Sequence, residues 1–387
     1  MNSNVLSTVI LKKGKEQSWQ YGHPWIFSGA IHTVDKALTP GNLVKVFNSE
    51  NHFLGIGYYH PKQSIALRML TKKDVAIDVD FCADLFDRLL QYRQQFLKNT
   101  TTAFRLCFGE SDGFPGLVID VFKPYAVIQV NTKGVENLLD VIKEGLTKVG
   151  LTKHVVMTTP SGIQEGVKTY EVQSQRIWAL ENGFEIAIQI GGQKTGWFCD
   201  QRGNRQRLTD WIKKLSINSI LNLFSYTGGF SLYALKVGVK DIVNVDRDAQ
   251  ALELFNAMAQ INHLPLVENI KSDVWDYLRQ ETRLFDLVIV DPPAFTKEKS
   301  KKQAALKGYR DLFCMSVQRV APKGSMAVFS CSHYIFEDDL NWILRQVYHE
   351  TGRTFQTVMR FSQGFDHPVP AWFPEGRYLK GLLLKEI

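Results

Sequence analysis

Two residues stand where hydrophobic runs end, and their types suit a specific chemistry. Cys331 follows "SMAVFS" and precedes Ser332 and His333; Asp291 follows "LFDLVIV" and precedes Pro292, Pro293, Ala294 and Phe295. A free thiol is usually a small buried apolar group, and it becomes a nucleophile only in a polar or electropositive setting that favours the thiolate. The prolines stiffen the chain behind Asp291. An acid on such a turn is suited to holding one edge of a flat base, with Pro292, Pro293 and Phe295 beside it and Phe295 able to stack. A thiol and an acid facing one pocket meet a known need. Carbon 5 of a pyrimidine is a poor nucleophile until a thiolate adds to carbon 6. The enamine so formed takes a methyl group from a sulfonium donor, and loss of the carbon 5 proton expels the thiolate. The carboxyl group at ring nitrogen 3 would favour the electron shift.

A donor site can be read upstream. "NLFSYTGGFSLYAL" places Phe224, Ser225, Tyr226, Thr227 and Gly228 in a turn between an apolar run and a helical pattern, where glycine allows close backbone approach and the helix start offers free N–H groups. Asp246 lies about twenty residues on, at the end of "DIVNVD", where an acid accepts hydrogen bonds from ribose hydroxyls; Arg247 is next to it. Asp248 reads as a helix cap, and Asp273 in "IKSDVWDYL" as either a cap or an acceptor for an adenine amino group. Glycine turn, ribose acid and adenine acid in this order favour an adenosine-type cofactor. With no third glycine and no pyrophosphate cradle, S-adenosyl-L-methionine is favoured over NAD.

"GGQKTGWFCDQRGNR" (191–205) is too rich in polar, aromatic and basic residues for a plain linker. Gln193 stands before Lys194 where a P-loop needs glycine, so nucleotide hydrolysis is disfavoured. The stretch is expected to line the cleft, with Gln201 toward the cofactor and Lys194 and Arg202 toward substrate. Arg202, Arg205 and Arg207 read equally as phosphate contacts or as a solvated face. "TKEKSKKQ", after the Asp-Pro-Pro turn, reads as a mobile basic loop.

These residues need a parallel sheet beneath them. "SILNLF", "DIVNVD", "LFDLVIVD" and "SMAVFSCS" are near-continuous apolar runs separated by helical patterns, which indicates a sheet covered on both faces. Such sheets bind ligands beyond the carboxyl ends of their strands, and the ends bearing Asp291 and Cys331 are expected side by side. Three domains are expected: residues 1–74, a small all-β module of short runs with Gly/Pro punctuation; 75–190, α+β; and 191–387, α/β. The net charge of +7 comes from two basic segments flanking an acidic one, which suits a polyanionic partner. Five cysteines without a CxxC pair argue against a disulfide framework and a structural zinc site. No signal peptide or membrane-length apolar run is read, so a cytoplasmic protein without a membrane partner is expected.

Seven stretches taken in order carry a further signal: "GHPWIFSGAI", "GESDGFPGLVID", "QKTGWFCDQR", "NLFSYTGGF", "DPPAF", "FSCS" and "HPVPAWFPEGRYLKG". Together they resemble the RlmI (YccW) family of S-adenosylmethionine-dependent 5-methylcytosine methyltransferases of 23S ribosomal RNA, across essentially the whole chain. The resemblance implies a PUA domain, an α+β middle domain and a Rossmann-like class I methyltransferase domain. It also implies Cys331 as nucleophile, Asp291 as the motif acid, and cofactor contacts around Phe224–Gly228, Asp246 and Asp273. The implied partner is 23S ribosomal RNA, with room for a homodimer. Two positions depart from the family: Ala294 where a lysine is frequent, and His333 where glycine is familiar, so His333 either serves as a base or faces RNA. Rival readings are guanine N7 methylation, with asparagine in place of Cys331; uracil carbon 5 methylation; and a non-catalytic RNA-binding assembly factor.

Overall fold

The computed structural model describes residues 6–35, 37–191, 196–296 and 298–387. The chain divides into two units. One is formed by Met1–Gly183, Ile188–Cys199 and Phe365–Gly376, the other by Phe184–Ala187, Asp200–Gly364 and Arg377–Ile387.

The second unit is an α/β domain on a seven-stranded sheet. Its strands are β1 (Ser219–Leu223), β2 (Asp241–Asp246), β3 (Glu268–Lys271), β4 (Phe285–Val290), β5 (Val320–Ser330), β6 (Phe355–Ser362) and β7 (Lys380–Glu386). Their spatial order is β3-β2-β1-β4-β5-β7-β6, the first five parallel and β7 antiparallel to both neighbours. Strand order reverses between β1 and β4, the switch point where such sheets open a ligand crevice. Helices α1 (Arg202–Leu215), α2 (Gly229–Lys236), α3 (Ala249–Ile261), α4 (Val274–Gln280), α5 (Lys302–Val317) and α6 (Glu337–Thr351) accompany the strands.

The unbroken apolar runs become buried strands. Leu221, Leu223, Val243, Val245, Val288, Val290 and Val328 join Tyr309, Leu312 and Phe313 of α5 in one cluster. Each fully buried aliphatic or aromatic side chain contributes roughly 1.5–3 kcal/mol. Register is marked by a polar device inside this core: Asn222 lies opposite Asn244, and Asn244 opposite Asn269. Asn222 Nδ2 donates to Ser231 Oγ (2.9 Å), that hydroxyl donates to Asn244 Oδ1 (2.6 Å), and Asn244 Nδ2 donates to Asn269 Oδ1 (2.9 Å). A one-residue slip would strand these amides against hydrocarbon, so the ladder selects one pairing.

The first unit begins with a six-stranded sheet from Ser7–Leu11, Trp25–Phe27, Ile31–Val34, Asn42–Phe47, Phe53–Tyr59 and Ile65–Thr71. Val9, Leu11, Ile26, Val44, Val46 and Leu67 form its own core. A four-stranded sheet follows (Ala103–Phe108, Leu117–Phe122, Tyr125–Val130, Lys153–Thr158), packed with the helix Val79–Gln94, whose cap Asp78 accepts from Phe81 N at 3.0 Å. A second cluster takes Ile56, Tyr58 and Leu70 of the first sheet together with Leu85, Phe86, Leu106 and Ile119, so the two sheets share hydrocarbon. The segment 365–376 returns to this unit: Asp366 accepts from Arg105 N (3.1 Å) and pairs with His367 Nδ1 (3.0 Å), both side chains buried. No helix among the described residues is long and apolar enough to cross a membrane.

Candidate active site

Strands β4 and β5 run side by side, with Val290 opposite Val328, and deliver Asp291 and Cys331 at adjacent carboxyl ends. The two strand-end loops are tied together. Phe295 N donates to Ser332 Oγ at 3.1 Å, and that hydroxyl lies 3.1 Å from the Tyr309 hydroxyl of α5, which accepts from Ser330 Oγ at 2.9 Å. Ser330, Ser332 and Tyr309 are fully buried, whereas Cys331 between the serines is half-buried. Burial pushes the Tyr309 phenol up to about 12, keeping it a neutral member of this network. The Phe295 ring stacks on Tyr309 at 4.4 Å and 28°.

Asp291 is oriented from Gln201, the residue just before α1. Gln201 Nε2 donates to Asp291 Oδ2 at 2.9 Å, while Gln201 Oε1 accepts from Asn204 Nδ2 at 2.6 Å. The amide oxygen is thereby engaged and its nitrogen faces the carboxylate. On the other side stands Lys380 of β7, opposite Ser330 in register and 3 % exposed. Its ammonium donates to Ser332 O and Tyr378 O, both at 2.7 Å. Burial lowers it to about 8, partly offset by the negative charge of the Cys331 thiolate. This lysine is an electropositive neighbour of the thiol.

The turn after β1 is held in an unusual backbone. Phe224 and Tyr226 have φ of +56° and +49°, conformations that cost on the order of 1–3 kcal/mol each for such residues and that concentrate at functional sites. The glycine has another reason. Gly228 has φ +67°, and a Cβ there would lie 2.3 Å from the Phe255 ring of α3, so packing and backbone demand it without any ligand. Asp246 is oriented by two amides, Tyr226 N on Oδ2 (2.8 Å) and Asp248 N on Oδ1 (2.9 Å), and a carboxylate so held keeps lone pairs for further donors. Thr227 is buried, and Ser225 Oγ is buried with no hydrogen-bond partner among the described residues. Asp248 caps α3. Asp273 caps α4 through Trp275 N (2.8 Å) and pairs with Arg247 at 3.2 Å, tying the ends of β2 and β3. An orphaned hydroxyl, an oriented acid and a strained turn at the switch point fit the ribose and amino-acid portions of S-adenosylmethionine.

Other expected residues are placed differently. Arg202 and Arg205 are buried, so they form no solvated face, while Arg207 is directed to Arg360 O at 2.7 Å. Pro292 is buried and Pro293 exposed; His333 is exposed with its ring 5.2 Å from Tyr334. Lys194 lies outside the described residues. The basic run after Thr296, read as a loop, carries a single 3-10 turn at Lys299–Lys301 that leads into α5, with Lys301 paired to Glu298 and Lys302 to Asp339, both at 2.8 Å. Tyr309, Lys380 and Asn204 were not found by sequence reasoning. Tyr309 sits at ordinary helical core spacing, while Lys380 left one signal: a lysine inside the apolar run "YLKGLLL".

A PUA-like domain model matches residues 9–72, and an S-adenosylmethionine-dependent methyltransferase model matches residues 152–341. The chain is 34% identical to ribosomal RNA large subunit methyltransferase I of Aeromonas salmonicida, covering 97% of this chain and 98% of that one. The chain belongs to the ribosomal RNA large subunit methyltransferase I family. The Alteromonas mediterranea member is 35% identical over 97% of this chain and 98% of its own. A Streptococcus mutans protein solved as a candidate SAM-dependent methyltransferase superposes with TM-score 0.80 at 21% identity, over 98% of this chain and 99% of that chain, a likeness of fold. A solved candidate methyltransferase complexed with SAH gives the same values. This family member is thus an S-adenosylmethionine-dependent methyltransferase with a PUA-like module and a Rossmann-like class I domain, and S-adenosylmethionine is its cofactor.

Proposed function

We propose that this chain methylates carbon 5 of a cytosine in 23S ribosomal RNA through a covalent adduct on Cys331. The observation that carries the reading is the pairing of Asp291 and Cys331 at adjacent strand ends, locked by the Phe295–Ser332–Tyr309 contacts. The names of the relatives supply the ribosomal RNA substrate.

The residues divide the work as follows. Lys380, as an ammonium beside the thiol, favours the thiolate. Cys331 Sγ forms a bond to carbon 6, and the displaced π electrons make carbon 5 nucleophilic. Asp291, oriented by Gln201, hydrogen-bonds ring nitrogen 3 and donates a proton there as the negative charge develops. S-adenosylmethionine, when bound, supplies an electrophilic methyl group on its sulfonium. Once carbon 5 is methylated, its proton passes to water while the carbon 6–sulfur bond breaks and returns the electron pair to Cys331. Phe224, Ser225, Tyr226, Thr227, Gly228, Asp246, Arg247 and Asp273 hold the donor, with Gln201 and Asp291 at its border. Pro292, Pro293, Phe295 and His333 border the base, with Phe295 braced on Tyr309. Arg202 is assigned to the same cleft.

Residues 1–74, 75–190 and 191–387 are the working modules in this proposal, the first and last carrying the positive charge that attracts the RNA backbone, and the protein acts in the cytoplasm. Mass spectrometry of 23S RNA from a strain lacking the gene tests the substrate. One 5-methylcytosine should disappear and return with the wild-type gene; an unchanged level rejects the assignment.

A further inference from the structure

Two of the seven stretches, those holding Asp200 and Tyr378, meet in a hydrogen-bond network behind the candidate nucleophile, built entirely from the second unit. Gln363, just past β6 and 9 % exposed, accepts two backbone N–H groups on one atom: Tyr378 N (3.1 Å) and Leu379 N (3.2 Å) both reach its Oε1. The next residue, Gly364, donates its N–H to Asp200 O at 3.0 Å. The buried Asp200 carboxylate in turn accepts from the Tyr378 hydroxyl. Tyr378 is thereby fixed at its ring, at its own N–H and at the N–H that follows.

In a trans peptide the N–H and the C=O point to opposite sides. With Leu379 N held by Gln363, the carbonyl of the same peptide, Tyr378 O, is aimed away from the glutamine. There it accepts from Lys380 Nζ at 2.7 Å. Ser332 O, next to Cys331, is the second acceptor, also at 2.7 Å. A buried ammonium keeps its charge only while such acceptors replace water. Burial has already brought Lys380 down to about 8, with Cys331 and Asp339 raising it and Arg377 lowering it. Loss of either carbonyl moves it further toward the neutral amine. Asp200 also precedes Gln201, the residue that orients Asp291, so two adjacent residues serve the arms of the acid and of the thiol.

We propose that Gln363 and Tyr378 are positioning residues for the reaction: they aim one of the two carbonyls that hold the Lys380 ammonium beside Cys331. The inference rests on the reading of Cys331 as nucleophile given above. Both residues act on the thiol through Lys380, which separates them from a purely structural tie.

The test is a double-mutant cycle on the full-length protein, read as the rate of Cys331 alkylation by iodoacetamide at pH 7 and followed by peptide mapping. Gln363→Met removes the acceptor and should slow alkylation by about fivefold, the scale of one hydrogen bond. In a Lys380→Met background the same substitution should have no further effect, because residues acting through one another are not additive. Tyr378→Phe keeps the backbone and removes only the hydroxyl; it should act in the same direction and lose its effect in that background too. If Gln363→Met does not fold, Tyr378→Phe decides the cycle alone. In methyl transfer to transcript, both variants should lower kcat and leave KM for RNA unchanged. Unchanged alkylation in the folded variants overturns the inference, as does an equal loss in the Lys380→Met background or a raised KM with kcat unchanged. If the cycle shows the coupling and the 23S cytosine stays unmethylated, the functional reading fails and the positioning role stands.

Discussion

Cys107 and Cys331 both lie in or beside a strand, and their surroundings set them apart. Cys107 is fully buried in the first unit, its Sγ directed to Leu117 O at 3.5 Å, and burial pushes its thiol well above the usual range. Cys82 and Cys314 are likewise pushed up to about 12, Cys82 chiefly by burial and Cys314 by burial together with Glu350. Cys331 lies one residue past the end of its strand, is half-buried, and has the Lys380 ammonium as a neighbour. One residue type is thus a core filler in one unit and a candidate nucleophile in the other. The difference lies in strand termination and in one buried charge.

The largest expected effect breaks this contrast at its sharp end. Cys331→Ala should reduce methyl transfer on the order of 10³-fold or more, as loss of a covalent nucleophile does, while Cys107→Ala retains activity per folded molecule. Steady-state transfer of labelled methyl groups to transcript measures both. Equal losses would erase the distinction.

A smaller effect concerns the charge. Lys380→Met should slow alkylation of Cys331 by iodoacetamide at pH 7 by about tenfold, because the thiolate loses its neighbouring positive charge. The gap should narrow above about pH 8, where Lys380 itself loses its proton in the wild type. The stability effect has a definite sign. Folding depresses this lysine from 10.5 to about 8, so the unfolded chain binds more protons between those values. Stability should therefore rise with pH through that window in wild type, and the Met variant should lack that component. Urea melts at pH 7.5 and 10 compare the two, and parallel pH profiles would contradict the assignment.

The smallest effect lies at the inert end. Cys107→Ser places a hydroxyl in hydrocarbon and should cost about 1–3 kcal/mol of stability with no change in activity. A matching loss of catalysis would show that Cys107 is more than packing.

The legible and illegible parts of the site separate along a physical line. The parallel sheet was readable because buried strands are continuous apolar runs, and Asp291 and Cys331 because they interrupt such runs at their ends. What escaped was anything whose meaning depends on a partner far along the chain. Tyr309 looks like helical core until Ser330 and Ser332 arrive 21 and 23 residues later. Lys380 gains its role from Ser332 O, 48 residues upstream. Gly228 was read as making room for a ligand, and it makes room for Phe255. The asparagines of β1, β2 and β3 form one ladder only once the strands pair in register. The basic run after Thr296 failed for the same reason: Asp339, which pairs with Lys302, is supplied by the later helix α6.

The most direct test of the contrast is trapping. Transcript in which cytosine is replaced by 5-azacytosine cannot lose a proton from ring position 5, so an attacking thiolate stays bound to carbon 6. With S-adenosylmethionine present, wild-type protein should form an adduct that survives denaturing electrophoresis, with peptide mapping locating it at Cys331, and Cys331→Ala should form none. An adduct that persists in Cys331→Ala, or maps to another cysteine, would contradict the account.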